Sequence, residues 1–264
     1  MRNSSNVISL IDRQQNCQEC RLSSDCLVRV KDSEDAPPRA GIPVTGHVVR
    51  RGTHIFRMGD SFDTLYSVRS GAVKTYRLTE EGEQQVTGFY LPGDLFGLES
   101  VEADVYASNA VALDTSCICA IQFDRLEALC RSSREVARRL TGRMSQRIRE
   151  GEQAFIVLGH KSADERMAWF LMNLSDKQRR IGVSTDEINL PMPRTDIGSY
   201  LMLAVETVSR VLTRLQSAGL IEVERNRVRI RNFEGLEQLA GCKPHHDVRL
   251  ATEAPDLRER ARAH

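Results

Sequence analysis

The chain has 264 residues and a formal net charge of +1 at pH 7, and 41% of its residues are hydrophobic. This length suits about two domains of ordinary size, each with enough apolar residues for a buried core. No apolar run is long enough to cross a membrane, and the N-terminus lacks the apolar centre of a signal peptide. The composition therefore predicts a cytoplasmic protein without a membrane span.

A cysteine run lies near the start of the chain. Cys17, Cys20 and Cys26 form a C-x2-C-x5-C pattern. Thiolate sulfur is the ligand preferred by iron–sulfur clusters, zinc and copper(I). In a reducing compartment such a group of thiols is more typical of metal binding or redox sensing than of disulfides. A four-iron cluster or a tetrahedral zinc ion needs one more ligand than the run supplies.

The next part of the chain has the pattern of an all-β domain. A charged, proline-containing connector at residues 31–39 precedes it. Short strands are predicted at residues 54–57, 65–69, 72–78 and 85–91, with glycine-containing turns between them. Strands at this regular spacing predict a barrel or a double-sheet roll.

The last predicted strand of this domain, residues 114–123, contains two further cysteines. Residues two apart on a strand share a face, so Cys117 and Cys119 are expected to point the same way. Either thiol can supply the ligand that the N-terminal run lacks.

A long helix is predicted from Arg134 to about Gly159. Its apolar side chains recur at helical spacing and comprise Val136, Leu140, Met144, Ile148 and Phe155. Charged residues, many of them arginines, flank this stripe. A narrow apolar stripe between charged flanks indicates a two-helix seam, which predicts a homodimer. The alternative is a surface helix that packs on its own roll.

The C-terminal third has the pattern of a helical DNA-binding unit. Ser162 and Glu165 form a capping-box pattern at the start of one helix. Residues 194–220 then predict two helices with a tight turn near residues 202–204, which is the helix-turn-helix pattern. Thr195 and Asp196 are expected to cap the first helix, and Gly219 to end the second.

The second of these helices carries the candidate base-reading side chains. Its predicted buried face contains Val208, Leu212 and Leu215, and its exposed face contains Glu206, Thr207, Ser209, Arg210, Thr213 and Arg214. Arginine can bond both guanine acceptors in the major groove, and glutamate can accept a hydrogen bond from cytosine. Glu206 and Arg210 are also correctly spaced to pair with each other. Residues 221–231 alternate apolar and charged residues, which predicts an arginine-rich hairpin for phosphate contacts.

The order of cysteine run, β-roll, long helix and winged helix-turn-helix resembles the CRP–FNR superfamily, and within it the oxygen-sensing FNR/ANR branch. The spacing of the cysteine run, residues 80–95 of the roll and residues 205–210 of the recognition helix carry this resemblance. It implies an α+β fold in which a cyclic-nucleotide-binding-like roll precedes a dimerisation helix and a winged helix-turn-helix. It also implies a transcription regulator rather than an enzyme.

The resemblance further implies particular site residues. A [4Fe-4S] cluster would be held by Cys17, Cys20, Cys26 and, as the fourth ligand, Cys119, with Cys117 as an extra cysteine on the same face. Glu206, Ser209 and Arg210 would read a TTGAT-like half-site, repeated as an inverted pair for the dimer. Leu140, Met144, Ile148 and Phe155 would form the dimer seam. The implied partners are double-stranded DNA, a second copy of the chain and RNA polymerase.

Two departures from the pattern qualify these expectations. Relatives that bind cyclic AMP have an arginine in the phosphate-binding stretch of the roll, but residues 105–110 contain none, so no cyclic nucleotide is expected. The FNR branch often has an acidic residue on the dimer seam, and Gly151 occupies that position here. Loss of the cluster is therefore expected to control dimerisation less strictly.

The predicted organisation has five parts. These are a cluster-binding segment at 1–30, a roll at 44–130, a dimerisation helix at 134–160, a DNA-binding domain at 161–242 and a mobile tail at 243–264. Two other hypotheses remain open from the sequence. One is a regulator of the same fold with a zinc or thiol sensor, and the other is an iron–sulfur enzyme or electron carrier. The chain offers no catalytic triad, phosphate loop or nucleotide fingerprint for the latter.

Overall fold

The computed structural model describes residues 11–12, 20, 22, 26–27, 44–183 and 186–241. The strands of the N-terminal part are β1 (Ile11–Asp12), β2 (Thr45–Val49), β3 (His54–Phe56), β4 (Thr64–Ser70), β5 (Val73–Leu78), β6 (Gln84–Tyr90), β7 (Leu95–Phe96), β8 (Asn109–Ala112) and β9 (Ser116–Gln122). The helices α1 (Phe123–Ser132), α2 (Arg134–His160) and α3 (Ala163–Arg180) follow. The remaining elements are β10 (Glu187–Asn189), α4 (Arg194–Leu201), α5 (Val205–Ser217), β11 (Ile221–Glu224), β12 (Arg227–Ile230) and α6 (Phe233–Ala240).

The strands of the N-terminal part form the predicted double-sheet roll. One sheet has the order β1-β2-β9-β4-β7 and the other has the order β3-β8-β5-β6. At the turn between β4 and β5, Gly71 has a φ of 82°, and a Cβ there would lie 2.3 Å from the Ser116 hydroxyl oxygen. Only glycine accepts this close approach together with a positive φ. The roll and the α+β class are therefore confirmed.

Helix α2 joins the two halves of the molecule. The Ser133 side chain caps its N-terminus by accepting a hydrogen bond from the Val136 amide. Val136 is buried in the core of the roll, and Val157 near the other end is buried in the core of the C-terminal domain. Each end of α2 is therefore fixed to a different core, while the residues between Val136 and Val157 are exposed or half-buried.

The C-terminal domain contains the predicted helix-turn-helix and hairpin. The capping box formed by Ser162 and Glu165 is present at the start of α3. The wing hairpin β11–β12 gains a third strand, because β10 pairs with β12. Helix α6 is a finding that the sequence did not predict, although Asn232 caps it by accepting from the Gly235 amide.

The expected caps of α4 are corrected by the structure. Pro193 is the N-cap residue of α4 and makes no side-chain capping bond, and Thr195 and Asp196 lie inside the first turn. Asp196 instead forms an ion pair with Lys74 of the roll at 2.7 Å. The side chain that resembled a cap therefore serves a contact between domains.

Several predictions concern residues that the structure does not describe. Cys17, the connector at 31–39 and the tail at 243–264 lie outside the described residues. Among the residues that are described, no helix is both long and apolar enough to cross a membrane.

Candidate functional site

The turn of the helix-turn-helix is set by close backbone packing. A Cβ on Gly198 would lie 2.6 Å from the backbone oxygen of Leu203, so the turn folds directly over α4 at this glycine. Met202 ends α4 in the left-handed region, with a φ of 55°. Helix α5 begins three residues later at Val205. These local constraints fix the angle at which α5 leaves α4.

Helix α5 buries one face and exposes the other. Val208, Leu212 and Leu215 are buried in the core of the C-terminal domain, as the apolar spacing predicted, and Val211 is buried with them. On the opposite face Glu206 and Arg210 are exposed. Within the described part of the chain, neither side chain forms a hydrogen bond or an ion pair, and the pair that their spacing allows is not formed. Both side chains are therefore available to bind base edges.

Ser209 is held between these two residues by a neighbouring helix. Its hydroxyl accepts a hydrogen bond from the Arg194 guanidinium at 3.0 Å and donates one to the Val205 carbonyl at 3.2 Å. Arg194 is the first residue of α4, so the two helices of the motif meet at this serine. The predicted trio Glu206, Ser209 and Arg210 thus lies together on the exposed side of α5.

Arg214 is exposed, but its side chain pairs with another residue of the protein. Its guanidinium forms an ion pair with Asp164 in the first turn of α3, at 2.6 Å. The sequence had placed Arg214 with the candidate base-reading residues. The structure instead shows it bracing α5 against α3.

The arginines of the wing divide into two groups. Arg227 and Arg229 pair with Glu187 at 3.2 and 3.3 Å, and Arg231 pairs with Glu222. Arg225, at the hairpin turn with a φ of 56°, is exposed. Among the described residues it forms no ion pair. Arg225 is thus the wing arginine best placed to contact a phosphate.

The orientation of the DNA-binding unit is set by contacts between α4 and the roll. The Ser199 hydroxyl donates to the Gln84 carbonyl and accepts from the Val86 amide, both at 2.8 Å. Gln85 donates to the Ser199 carbonyl at 2.6 Å. Together with the Lys74–Asp196 pair, these bonds join α4 to β5 and β6.

Four of the five cysteines that the predictions named lie within the described residues. Cys20, Cys26 and Cys119 are half-buried, and Cys117 is buried. Burial raises the pKa of the Cys117 thiol, the positive charge of Arg69 lowers it, and the Cys20 thiol raises it. Within the described residues, no three potential metal ligands are grouped.

The predicted seam residues of α2 differ in exposure. Leu140 is half-buried and packs against the core of the roll. Further along the helix, Met144, Ile148 and Phe155 are 36%, 63% and 79% exposed. Their exposure leaves an apolar surface along the middle and end of α2.

A β-roll, a long connecting helix and a winged helix-turn-helix together define a DNA-binding regulator with an attached β domain. Two family models match the chain: a cyclic nucleotide-binding domain at residues 47–133 and a Crp-like helix-turn-helix domain at residues 165–239. The matched ranges coincide with the two halves that α2 connects.

Comparisons with individual proteins agree with this class. The chain is 43% identical to transcriptional activator protein FnrA of Stutzerimonas stutzeri over 87% of this chain and 94% of that protein. It is 36% identical to the fumarate and nitrate reduction regulatory protein of Escherichia coli K12, over 86% and 90% of the two chains. The structure of FixK2 from Bradyrhizobium japonicum matches with a TM-score of 0.69 and 33% identity, covering 76% of this chain and 99% of that one.

The chain therefore belongs to the CRP–FNR family of transcription regulators. This family membership confirms the prediction of a DNA-binding regulator rather than an enzyme.

Proposed function

We propose that this regulator responds to oxygen through a [4Fe-4S] cluster, held by Cys17, Cys20, Cys26 and Cys119, that controls homodimerisation and DNA binding. The observation that carries the proposal is the position of Leu27, which directly follows Cys26 and is buried in the core of the roll together with Ile118 of β9. The end of the cysteine run therefore lies against the domain that carries Cys117 and Cys119.

The described residues fit such a group. Cys117 and Cys119 lie two apart on β9, opposite Val48 and Gly46 of β2, so they share a face of the sheet. Thiolate sulfur is the usual ligand of iron–sulfur clusters, and partial burial limits access of water to it. When bound, the cluster would supply the oxygen-sensitive chemistry, while the cysteines would tie the N-terminal run to β9.

The proposed dimer uses the exposed surface of α2. Met144, Ile148 and Phe155 expose apolar area that a second α2 helix can cover. In a two-fold dimer the same side chains contribute from both subunits. Leu140, which already packs on the roll, would lie at the N-terminal end of this seam.

The proposed DNA site is an inverted repeat of a TTGAT-like half-site. Arg210 would bond the guanine of the half-site, with Glu206 and Ser209 beside it, and dimerisation would place two α5 helices about one DNA turn apart. Arg225 would contact phosphate and position the wing without reading sequence. RNA polymerase is the further partner that the family suggests.

The interior of the roll supports the absence of a cyclic nucleotide ligand. Tyr106, in the stretch where cyclic AMP-binding relatives carry arginine, is only 3% exposed. Its ring stacks on Phe56 with the centroids 3.8 Å apart, and its hydroxyl donates to the Thr64 carbonyl at 2.6 Å. Phe62, Tyr66 and Phe96 complete an aromatic core. Aromatic side chains therefore fill the space next to this stretch.

The experiment is to purify the protein without oxygen and measure its visible spectrum, iron, sulfide and zinc. We expect a brown protein with about four irons per chain that bleaches in air. Cys119→Ala should be colourless, whereas Cys117→Ala and Cys130→Ala should keep the colour. Cys130, a half-buried thiol of α1, is the matched control.

Other outcomes have defined meanings. Colour that survives Cys119→Ala but not Cys117→Ala would transfer the fourth ligand to Cys117. A colourless protein that holds zinc would replace the cluster by a zinc or thiol sensor on the same fold. Equal DNA affinity of cluster-loaded and cluster-free protein in a gel shift would refute the oxygen switch.

A further inference from the structure

Two residues at the end of the cysteine run are attached to the junction between the roll and α2. Leu27, directly after Cys26, is only 5% exposed. It belongs to the hydrophobic core of the roll, which also contains Leu126 of α1 and Val136 of α2. Burial of an apolar side chain anchors the adjacent backbone because its withdrawal would expose apolar surface to water.

A hydrogen bond adds a polar contact at the same place. The Arg139 guanidinium of α2 donates to the backbone carbonyl of Cys26 at 3.2 Å, across 113 positions of sequence. Arg139 also pairs with Glu135, one turn earlier on α2, at 2.5 Å. The Arg139 side chain is 26% exposed, so water screens these contacts only in part. One nitrogen of the guanidinium therefore donates to Glu135 while another donates to the Cys26 carbonyl.

Arg139 is next in sequence to the first residue of the proposed dimer seam. Leu140 follows it and packs against the same core, and Met144 and Ile148 lie one and two turns further along α2. Side chains four apart share a helix face, so these three residues lie on one face of α2 and the seam begins next to Arg139. The contact therefore lies between a proposed cluster ligand and the proposed dimer surface.

We propose that Leu27 and Arg139 form the mechanical link by which the state of the cysteine run reaches the dimer seam. Leu27 is the anchor, and Arg139 is a positioning residue that acts through the Cys26 backbone. The inference rests on the proposed function and identifies the residues of α2 that carry its signal. It requires a coupling between two sites, and such couplings usually change an equilibrium about 5- to 150-fold.

The first measurement uses the metal-free full-length chain, so it is independent of cluster assembly. The rate of Cys26 alkylation by iodoacetamide is followed by mass spectrometry of the derived peptides. Leu27→Ala and Arg139→Ala should each raise this rate roughly fivefold or more, because the backbone of Cys26 loses an attachment. Arg138→Ala is the matched control, since Arg138 is an exposed neighbour on the same helix.

The second measurement compares the dimer dissociation constants of cluster-loaded and cluster-free protein under nitrogen. Wild type and Arg138→Ala should dimerise at least about fivefold more tightly when loaded. Arg139→Ala should keep its iron and sulfide but lose this difference, and Arg139→Lys, which retains a cationic donor, should restore part of it. A loaded Arg139→Ala protein that dimerises like wild type would overturn the link.

The two measurements separate the link from the proposed function. If wild type takes up no iron, the cluster proposal fails, while the alkylation rates still decide whether Arg139 holds Cys26. If Arg139→Ala is the only variant that loses iron, the alkylation rate of its metal-free chain still decides whether Arg139 holds Cys26. Unchanged alkylation in both Arg139→Ala and Leu27→Ala would overturn the inference regardless of the metal.

Discussion

Replacing Ile148 by alanine tests the proposed dimer seam directly. The change removes three carbon atoms, each worth about 0.8 kcal/mol when fully buried. In one chain Ile148 is 63% exposed, so this share of its surface is available for burial by a partner. The expected loss is about 1.5 kcal/mol per subunit and, because a two-fold dimer contains the side chain twice, about 3 kcal/mol per dimer.

Such a loss corresponds to a dimer dissociation constant on the order of 100-fold higher. Sedimentation equilibrium of anaerobically prepared protein over a range of concentrations measures this constant. Leu78→Ala is the matched control, because it removes the same number of carbons from a residue that is 53% exposed on the roll. A dissociation constant for Ile148→Ala within about twofold of wild type, or an equal loss in Leu78→Ala, would refute the seam.

Two further predictions concern the DNA-binding domain. Arg210→Ala should weaken binding to the TTGAT-like site by about 1–3 kcal/mol and relax the sequence preference of the protein. Arg225→Ala should weaken binding to all sequences and lower the slope of log affinity against log salt concentration by about one. DNA titrations at several salt concentrations distinguish the two variants, and identical profiles would contradict the assigned roles. Gly198→Ala should cost about 1–3 kcal/mol of unfolding free energy and lower the thermal midpoint, because its Cβ would lie 2.6 Å from the Leu203 oxygen. In Gly142→Ala, where the Cβ meets open space within the long helix, the midpoint should rise instead; a rise in both variants would show that the turn tolerates a side chain.

The elements that the sequence predicted well are those with local signals. Glycine turns and regular spacing predicted the roll, and apolar periodicity predicted α2 and the helix-turn-helix. Each of these signals is carried by a short continuous segment, either a single turn or a single helix or strand. Helix α6 also had such a signal, since Asn232 precedes helically spaced Leu236 and Ala240 and Gly241 ends the helix. That segment was predictable in principle.

The candidate site was predictable only in part. The exposed positions of Glu206 and Arg210 follow from the helical period alone. The ion pair between Arg214 and Asp164 does not follow from the sequence, because the two residues are 50 positions apart. The same holds for Asp196, which resembles a helix cap but pairs with Lys74 across 122 positions. A side chain's local preference is overridden when a partner of opposite charge lies within reach in the folded chain.

The sequence by itself determined the class of fold and supplied the cysteines from which the cluster ligands are proposed. The thiol spacing and the periodicities are properties of short segments, and short segments carry their own conformational preferences. Only the tertiary structure decided which arginines are left for DNA, how α4 is held against β6, and that Cys26 and Leu27 attach to the start of α2. These contacts join residues far apart in the chain, so they exist only after the two cores have formed and brought α2 between them.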